Sequence, residues 1–143
     1  MKVAISSDHA GVQYKTALIE YVKGLGHSIE DLGPYSEDSV DYPDFAHALA
    51  EKVLSKQAEL GIVLCGTGNG VAMAANKHQG IRAGLCWNKE IASLIRQHND
   101  ANILSLPARF VSVEEAKEIV KAYLETPFEG GRHQKRVDKI ACI

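Results

Sequence analysis

The sequence predicts an α/β sandwich in which a five-stranded parallel sheet lies between two layers of helices, and three observations predict it. Short apolar, β-branched runs alternate five times with stretches of helical periodicity. The middle run, Leu60 to Leu64, is apolar throughout, as a strand buried on both faces must be. A glycine-rich turn, Gly66-Thr67-Gly68-Asn69-Gly70, then joins that run to a helix of small residues.

Taken in order, Lys2 to Ser6 reads as the first strand, a β-branched run that ends in polar residues. Tyr14, Leu18, Val22 and Leu25, with Ile19 beside them, recur at helical spacing, and Gly26 stops that helix. Ile29 to Leu32 is the second strand, closed by Gly33-Pro34 and followed by a polar loop from Tyr35 to Tyr42. Pro43 opens the next helix, where its missing N–H does no harm; Phe45, Leu49 and Val53, with Ala46, Ala50 and Leu54, give the apolar face. Leu60 to Leu64 is the third strand, and Val71 to Ala75 the helix after its glycine turn. Arg82 to Cys86 is the fourth strand. Asn88 caps a helix that carries Ile91, Leu94 and Ile95 and ends near His98. Asn102 to Leu106 is the fifth strand, and Ser112-Val113-Glu114-Glu115 has the form of a capping box before Ala116, Ile119, Val120, Tyr123 and Leu124. After Thr126-Pro127 and Gly130-Gly131 comes a basic helical tail at about residues 128–143. Short connections and right-handed crossovers make this a Rossmann-like three-layer sandwich, with residues 1–143 as a single domain.

Composition excludes several classes of function. The 143 residues are 45% hydrophobic and 24% charged, in the range of one ordered globular domain rather than a disordered chain. Sixteen Lys and Arg against eighteen Asp and Glu give a net charge of −2, which argues against general nucleic-acid or membrane-surface binding. No apolar run approaches the ~18 residues of a bilayer span, and Val3-Ala4-Ile5 is too short for a signal-peptide core, so a cytoplasmic location is expected. The three cysteines, Cys65, Cys86 and Cys142, form no CxxC pair; a disulfide framework or a cysteine-rich zinc site is not expected.

Ligands of open parallel sheets bind at the carboxyl ends of the strands. Those ends carry Ser7-Asp8-His9, the loop after Leu32, Cys65 to Gly70, Trp87, and Pro107 to Arg109. The three glycines of the loop let backbone N–H groups approach an anion, although tight strand-to-helix packing alone explains two of them. A dinucleotide fingerprint is excluded because Val71 stands where its third glycine belongs. A phosphate-binding Gly-Lys-Ser/Thr loop is missing, and Val71 also occupies the arginine position of a cysteine phosphatase. Cys65 lies one residue before those N–H groups, a setting that stabilises a thiolate; a buried apolar thiol is the plainer reading. Cys86 has no glycine loop after it, and Cys142 lies near the terminus. Asp8 fits a helix cap, and His98-Asn99-Asp100 a helix end where histidine is favoured by the dipole. Arg132 and Arg136 stand one turn apart and can share one phosphate, or simply form a solvated basic face with Lys135 and Lys139. Asp38, Asp41 and Asp44 read as a capped loop rather than a hard-metal site.

Seven motifs in order resemble type B ribose-5-phosphate isomerase and its galactose-6-phosphate and allose-6-phosphate relatives. They are Ser7-Asp8-His9-Ala10-Gly11, Asp41-Tyr42-Pro43-Asp44, Cys65-Gly66-Thr67-Gly68-x-Gly70, Ala74-Ala75-Asn76-Lys77, Gly80-Ile81-Arg82-Ala83, His98-Asn99-Asp100-Ala101-Asn102 and Gly130-Gly131-Arg132-His133-x-x-Arg136. The resemblance implies interconversion of D-ribose 5-phosphate and D-ribulose 5-phosphate through an enediolate, without metal or cofactor, in the pentose phosphate pathway. It implies that Cys65 is the proton-abstracting base and that His98 opens the furanose ring. Asp8, His9, Gly66, Thr67, Gly68, Asn69, Gly70, Asn99, Arg109, Arg132 and Arg136 match its ligand-binding positions, with Thr67 able to relay a proton between two sugar oxygens. Asn69 stands where the family often has an aliphatic residue, but its backbone N–H remains.

From Asn88 to His98 the helix covers about ten steps of ~1.5 Å, roughly 15 Å, running back from the edge where Cys65 lies. His98 is therefore expected far from Cys65 of its own chain, and a homodimer with sites shared between subunits is expected, with pairing into tetramers left open. Two other classes compete with this reading. A phosphosugar-binding regulator on the same fold would not need both Cys65 and His98. A phosphoacceptor signalling domain would need an acidic cluster after the first strand and Asp after the third, where this chain has Asp8 and Cys65.

Overall fold

Strand and helix alternate along the chain: β1 (Lys2–Ser7), α1 (Val12–Gly24), β2 (Ser28–Asp31), α2 (Tyr42–Leu54), β3 (Leu60–Cys65), α3 (Asn69–Ala75), β4 (Ala83–Leu85), α4 (Lys89–Asn99), β5 (Ile103–Pro107), α5 (Val113–Glu125) and α6 (Arg132–Ile140). A 3-10 turn at His9–Gly11 sits between β1 and α1. The computed structural model describes residues 1–142; Ile143, the last residue of the expected basic tail, lies outside them. Among the described residues no helix is long and apolar enough to cross a membrane.

All neighbouring strands pair in parallel, in the order β2-β1-β3-β5-β4. Right-handed crossovers then dictate which layer each helix joins. Leftward steps, β1 to β2 and β4 to β5, put α1 and α4 on one face, where α5 joins them. Rightward steps, β2 to β3 and β3 to β4, put α2 and α3 on the other. The core divides accordingly. Leu60, Ile62 and Leu64 of β3 pack with Leu18, Val22, Ala92, Ile119 and Tyr123, whereas Val63 and Cys65 pack with Ala46, Leu49, Val53, Val71 and Ala75. The pleat of a single strand thus feeds both layers, and each fully buried Leu or Ile contributes about 1.5–3 kcal/mol relative to exposure.

Element boundaries depart from the sequence reading by small, explicable amounts. α3 begins at Asn69, inside the glycine run, because Gly68 adopts φ +75° and turns the chain early. β4 is shorter than Arg82 to Cys86 because the Arg82 N–H donates to the Asn102 side chain (2.8 Å) instead of to a strand. β2 and β5 each shift by one residue, to Ser28–Asp31 and Ile103–Pro107. Asp8 does cap, but it accepts the Gly11 N–H and closes the 3-10 turn rather than α1 itself. The capping box forms as expected: Ser112 Oγ accepts the Glu115 N–H and Glu115 accepts the Ser112 N–H, both at 3.0 Å.

One buried charge ties the loop after β2 to the body of the fold. Lys15 of α1 has a side chain only 2% exposed; its ammonium donates to Asp31 (2.6 Å) and to the Pro34 carbonyl, and lies 5.3 Å from the Tyr35 ring centroid. Replacing Lys15 with Met leaves the Asp31 carboxylate and the Pro34 carbonyl without that donor. We expect Lys15→Met to lose roughly 2–3 kcal/mol of stability by urea denaturation, the scale of a charge-assisted hydrogen bond. A loss under about 0.5 kcal/mol, the ordinary surface range, would show that the buried ammonium is dispensable.

Candidate active site

The strand order reverses between β1 and β3, and the carboxyl edge at such a switch point is where open parallel sheets hold their ligands. Asp8 and His9 leave β1 there, and Cys65 to Gly70 leave β3. The Asp8 N–H donates to the Leu64 carbonyl (3.0 Å), tying the segment after β1 to the end of β3. His9 Nδ1 accepts the Val40 N–H (3.3 Å), which draws the loop after β2 toward this edge.

Strand parity points Cys65 toward the layer of α2 and α3, into the turn that starts α3. The Gly68 N–H comes back to within 3.1 Å of its Sγ, while Ser105 Oγ donates to the Gly68 carbonyl (2.6 Å) and fixes the turn from below. Only glycine fits at 68: besides φ +75°, a Cβ would lie 2.5 Å from Leu85 Cδ1 and 3.1 Å from the Leu106 carbonyl carbon. Thr67 is exposed and its Oγ1 accepts the Asn69 N–H (3.2 Å); Asn69 is itself exposed at the first position of α3. Arg109 folds over Gly66, where a Cβ would meet its Cδ at 3.1 Å, and the Arg109 N–H donates to the Gly66 carbonyl (3.0 Å). Tyr42 closes the other side: a Cβ on Gly70 would sit 2.6 Å from its ring. The sequence reading left Tyr42 as the end of a loop. Its signal was a large aromatic just before a helix-opening proline, opposite a run of glycines.

Asn99, His98, Arg132 and Arg136 gather elsewhere. His98 and Asn99 occupy the last turn of α4; Arg132 and Arg136 are exposed on α6, one turn apart. The His98 ring stacks on the His133 ring at 4.4 Å with 15° between planes. Glu129 Oε1 lies 3.8 Å from His98 Nε2, and the Glu129 N–H donates to the Gln97 carbonyl (3.2 Å). Burial first, then the neighbouring His98 and Arg132, holds the His133 pKa below the ordinary histidine value. Sequence reasoning did not single out Glu129 or His133 as site residues, although His133 stood inside a quoted motif. His98, Glu129 and His133 offer donor atoms within 4.8 Å of one another, the one such group among the described residues. The guanidinium charges of Arg132 and Arg136 beside them oppose a dication there.

These two groups lie at opposite edges of the sheet. The Asn99 and Asp100 carbonyls at the end of α4 accept from the Arg82 side chain at the start of β4. Ala83 is level with Ile103, and Ile103 with Gly61. Cys65 lies four residues further along β3, ~13 Å at ~3.3 Å per residue, on the opposite face and two strands across. The structure thus brings together Asp8, His9, Cys65, the glycine loop and Arg109, and separately His98, Asn99, Arg132 and Arg136. A cavity of about 350 Å³ lies beside the second group, lined by Arg82, Ile95, Asn99, Val137 and Ile140 among others; Cys65 does not line it.

Residues 3–140 match the ribose/galactose isomerase family, and the chain belongs to it. Among curated relatives, a probable ribose-5-phosphate isomerase B of Mycoplasma genitalium is 47% identical, over 96% of this chain and 92% of that protein. Ribose-5-phosphate isomerase B of Escherichia coli is 42% identical, over 99% and 95%. The crystal structure of a ribose 5-phosphate isomerase from Thermotoga maritima, 50% identical, covers 99% of this chain and 98% of that one with a TM-score of 0.97. The Mycoplasma genitalium enzyme with bound ribulose-5-phosphate, 46% identical, superposes with a TM-score of 0.93 over 99% of this chain and 94% of that one.

The His133 environment has a consequence for pH. A histidine whose folded pKa lies below its unfolded value binds fewer protons folded than unfolded. It therefore destabilises the fold as pH falls through the ordinary histidine value of 6.5. Between about pH 7.5 and pH 5.5 we expect the melting temperature of His133→Gln to fall less than that of the parent. Parallel falls in the two proteins would place the pH sensitivity elsewhere.

Proposed function

We propose that this protein interconverts D-ribose 5-phosphate and D-ribulose 5-phosphate by proton transfer through an enediolate, as a homodimer whose sites are shared between subunits. The observation that carries the reading is the Cys65 sulfur, 3.1 Å from the Gly68 N–H at the sheet's topological switch point, in a chain of this family. The ribulose-5-phosphate bound to the Mycoplasma genitalium relative supports the substrate class. A cytoplasmic location and a place in the pentose phosphate pathway belong to the same reading, as does chemistry without metal or cofactor.

Isomerisation requires a base for a carbon acid, donors for an oxyanion, and a grip on the phosphate. Cys65 takes the proton α to the carbonyl; an N–H donor at its sulfur supports negative charge there. N–H groups of the loop from Gly66 to Gly70 face the developing oxyanion, and Thr67, exposed beside them, passes a proton between the two sugar oxygens. His98 of the other subunit opens the ring, with Asn99 beside it. Arg132, Arg136 and His9 hold the phosphate, so that remote binding energy orients the reacting carbon. Asp8 and Arg109 frame the sugar from the two loops that leave β1 and β5. Steady-state comparison of ribose 5-phosphate with allose 6-phosphate and galactose 6-phosphate distinguishes this assignment from the hexose-phosphate activities of the relatives.

Cys65→Ala is expected to lower kcat by ~10²–10⁴-fold while phosphosugar affinity stays within a few-fold, because the thiol acts on the α-proton and not on the phosphate. Activity close to the parent's would remove Cys65 from the mechanism. Chelators are expected to leave the parent rate unchanged, and dependence on an added divalent cation would overturn the metal-free reading. Arg136→Ala is expected to weaken ribose 5-phosphate binding by about tenfold or more in isothermal titration, a lost charge-assisted contact; unchanged affinity returns Arg136 to a solvated basic face.

The shared site has its own test. Cys65→Ala and His98→Ala chains, each inactive, are unfolded and refolded together. In a mixed dimer one site carries both lesions and the other neither. Random pairing makes about half the dimers mixed, so roughly a quarter of parent activity is expected to return. If each subunit used its own Cys65 and His98, every site would keep a lesion and mixing would restore nothing.

A further inference from the structure

The motif Gly80-Ile81-Arg82-Ala83 has no place in the chemistry above, yet Arg82 sits at the convergence of three segments. Its main chain is fixed to the start of β5: the Arg82 N–H donates to Asn102 Oδ1 (2.8 Å), and the Arg82 carbonyl accepts the Asn102 N–H (3.0 Å). From that anchored base its guanidinium reaches the end of α4. Nε donates to the Asn99 and Asp100 carbonyls (both 3.1 Å), Nη2 donates to the Asp100 carbonyl (2.9 Å), and Nη2 lies 3.6 Å from the Asp100 carboxylate.

Asp100 is held from its other side as well. Arg96 Nη1 donates to Asp100 Oδ1 (3.0 Å) and to the Ala101 carbonyl (2.7 Å), while Arg96 Nε donates to the Thr126 carbonyl (3.2 Å) where the chain sets out for α6. Asp100 itself is left-handed, φ +47°, ending the helix immediately after His98 and Asn99. The last carbonyls of a helix lack intrahelical partners and form the negative end of its dipole. A planar, permanently charged fork is the group best suited to satisfy several of them at once. The His98 ring is 41% exposed and rests on His133, so its aim depends on how firmly the last turn is held.

We infer that Arg82, acting through Asp100 with Arg96, is the positioning residue of the half-site that carries His98 and Asn99. Its guanidinium is committed to the Asn99 and Asp100 carbonyls and the Asp100 carboxylate. It sets the direction of the last turn of α4 and, through the Arg96 link to Thr126, the start of the segment that bears Arg132 and His133. The inference rests on the shared-site reading above, and its test separates the two.

Arg82→Gln removes the fork while keeping a polar side chain; Asp100→Asn removes the carboxylate and keeps a residue that tolerates the left-handed conformation. Each is expected to lower kcat for ribose 5-phosphate by about 10–100-fold, the scale of a catalytic group misplaced by ~1 Å, with KM changed less than threefold or so. Each variant is then co-refolded with Cys65→Ala and, separately, with His98→Ala. Rescue by Cys65→Ala to roughly a quarter of parent activity, with no rescue by His98→Ala, assigns the lesion to the His98 half-site of its own chain. A lesion that merely loosened the whole subunit would impair both of its half-sites and would not be rescued by Cys65→Ala. Parent-like kcat in both variants, or failure of Cys65→Ala to rescue while the Cys65→Ala and His98→Ala pair complements, overturns the role of Arg82. Failure of that reference pair overturns the shared site, and this inference with it. If Arg82→Gln does not fold, judged by circular dichroism, the Asp100→Asn pairings decide by the same outcomes.

Discussion

Everything at the carboxyl edge of the sheet depends on one left-handed turn. β3 ends fully buried between two helical layers, and the chain must leave it and start α3 within three residues. Gly68 accomplishes this at φ +75°, with Leu85 and the Leu106 main chain so close that no side chain is admitted. In any other residue the left-handed conformation alone costs about 1–2 kcal/mol, and the collision with main-chain atoms adds to it. The turn returns the Gly68 N–H to Cys65 Sγ and delivers the Gly68 carbonyl to Ser105. The thiol, the donors beside it and the first turn of α3 therefore share a single geometry. The chain's own contacts build it, as electrostatic preorganisation requires.

Where local chemistry decides an element, the sequence was readable. The unbroken apolar run of β3, the reciprocal Ser112–Glu115 cap and the helix-opening Pro43 are each settled by neighbours a few residues away. So was the distance between Cys65 and His98, since helix length and the direction of a crossover fix it. Long-range choices were not readable. The insertion of β5 between β3 and β4 pairs segments distant in sequence, and no residue within β5 announces it. β4 starts late because a side chain twenty positions away, that of Asn102, captures the Arg82 N–H. Tyr42, though inside the motif Asp41-Tyr42-Pro43-Asp44, and Glu129, which no motif marks, reach their places through the folding of loops.

The separation of the two half-sites has a reason in the physics of parallel sheets. At the carboxyl edge, helices begin: α3 presents N–H groups and the positive end of its dipole, which favours negative charge. At the amino edge, helices end: α4 presents carbonyls and the negative end of its dipole, which favours positive charge. A single βαβ sheet cannot offer both polarities at one point, because its strands hold the two edges apart. Enediolate chemistry on a cyclic sugar needs both, one to hold negative charge at the reacting carbons and one to exchange a proton with the ring oxygen. Two chains related by a two-fold axis can bring the amino edge of one to the carboxyl edge of the other, and the same operation then builds the second site without further design. On this view the dimer proposed here is a requirement of the chemistry. Arginines at the amino edge divide accordingly: Arg132 and Arg136 are exposed, as the proposed phosphate contact requires, whereas Arg82 and Arg96 donate to carbonyls at the end of α4 and just beyond it.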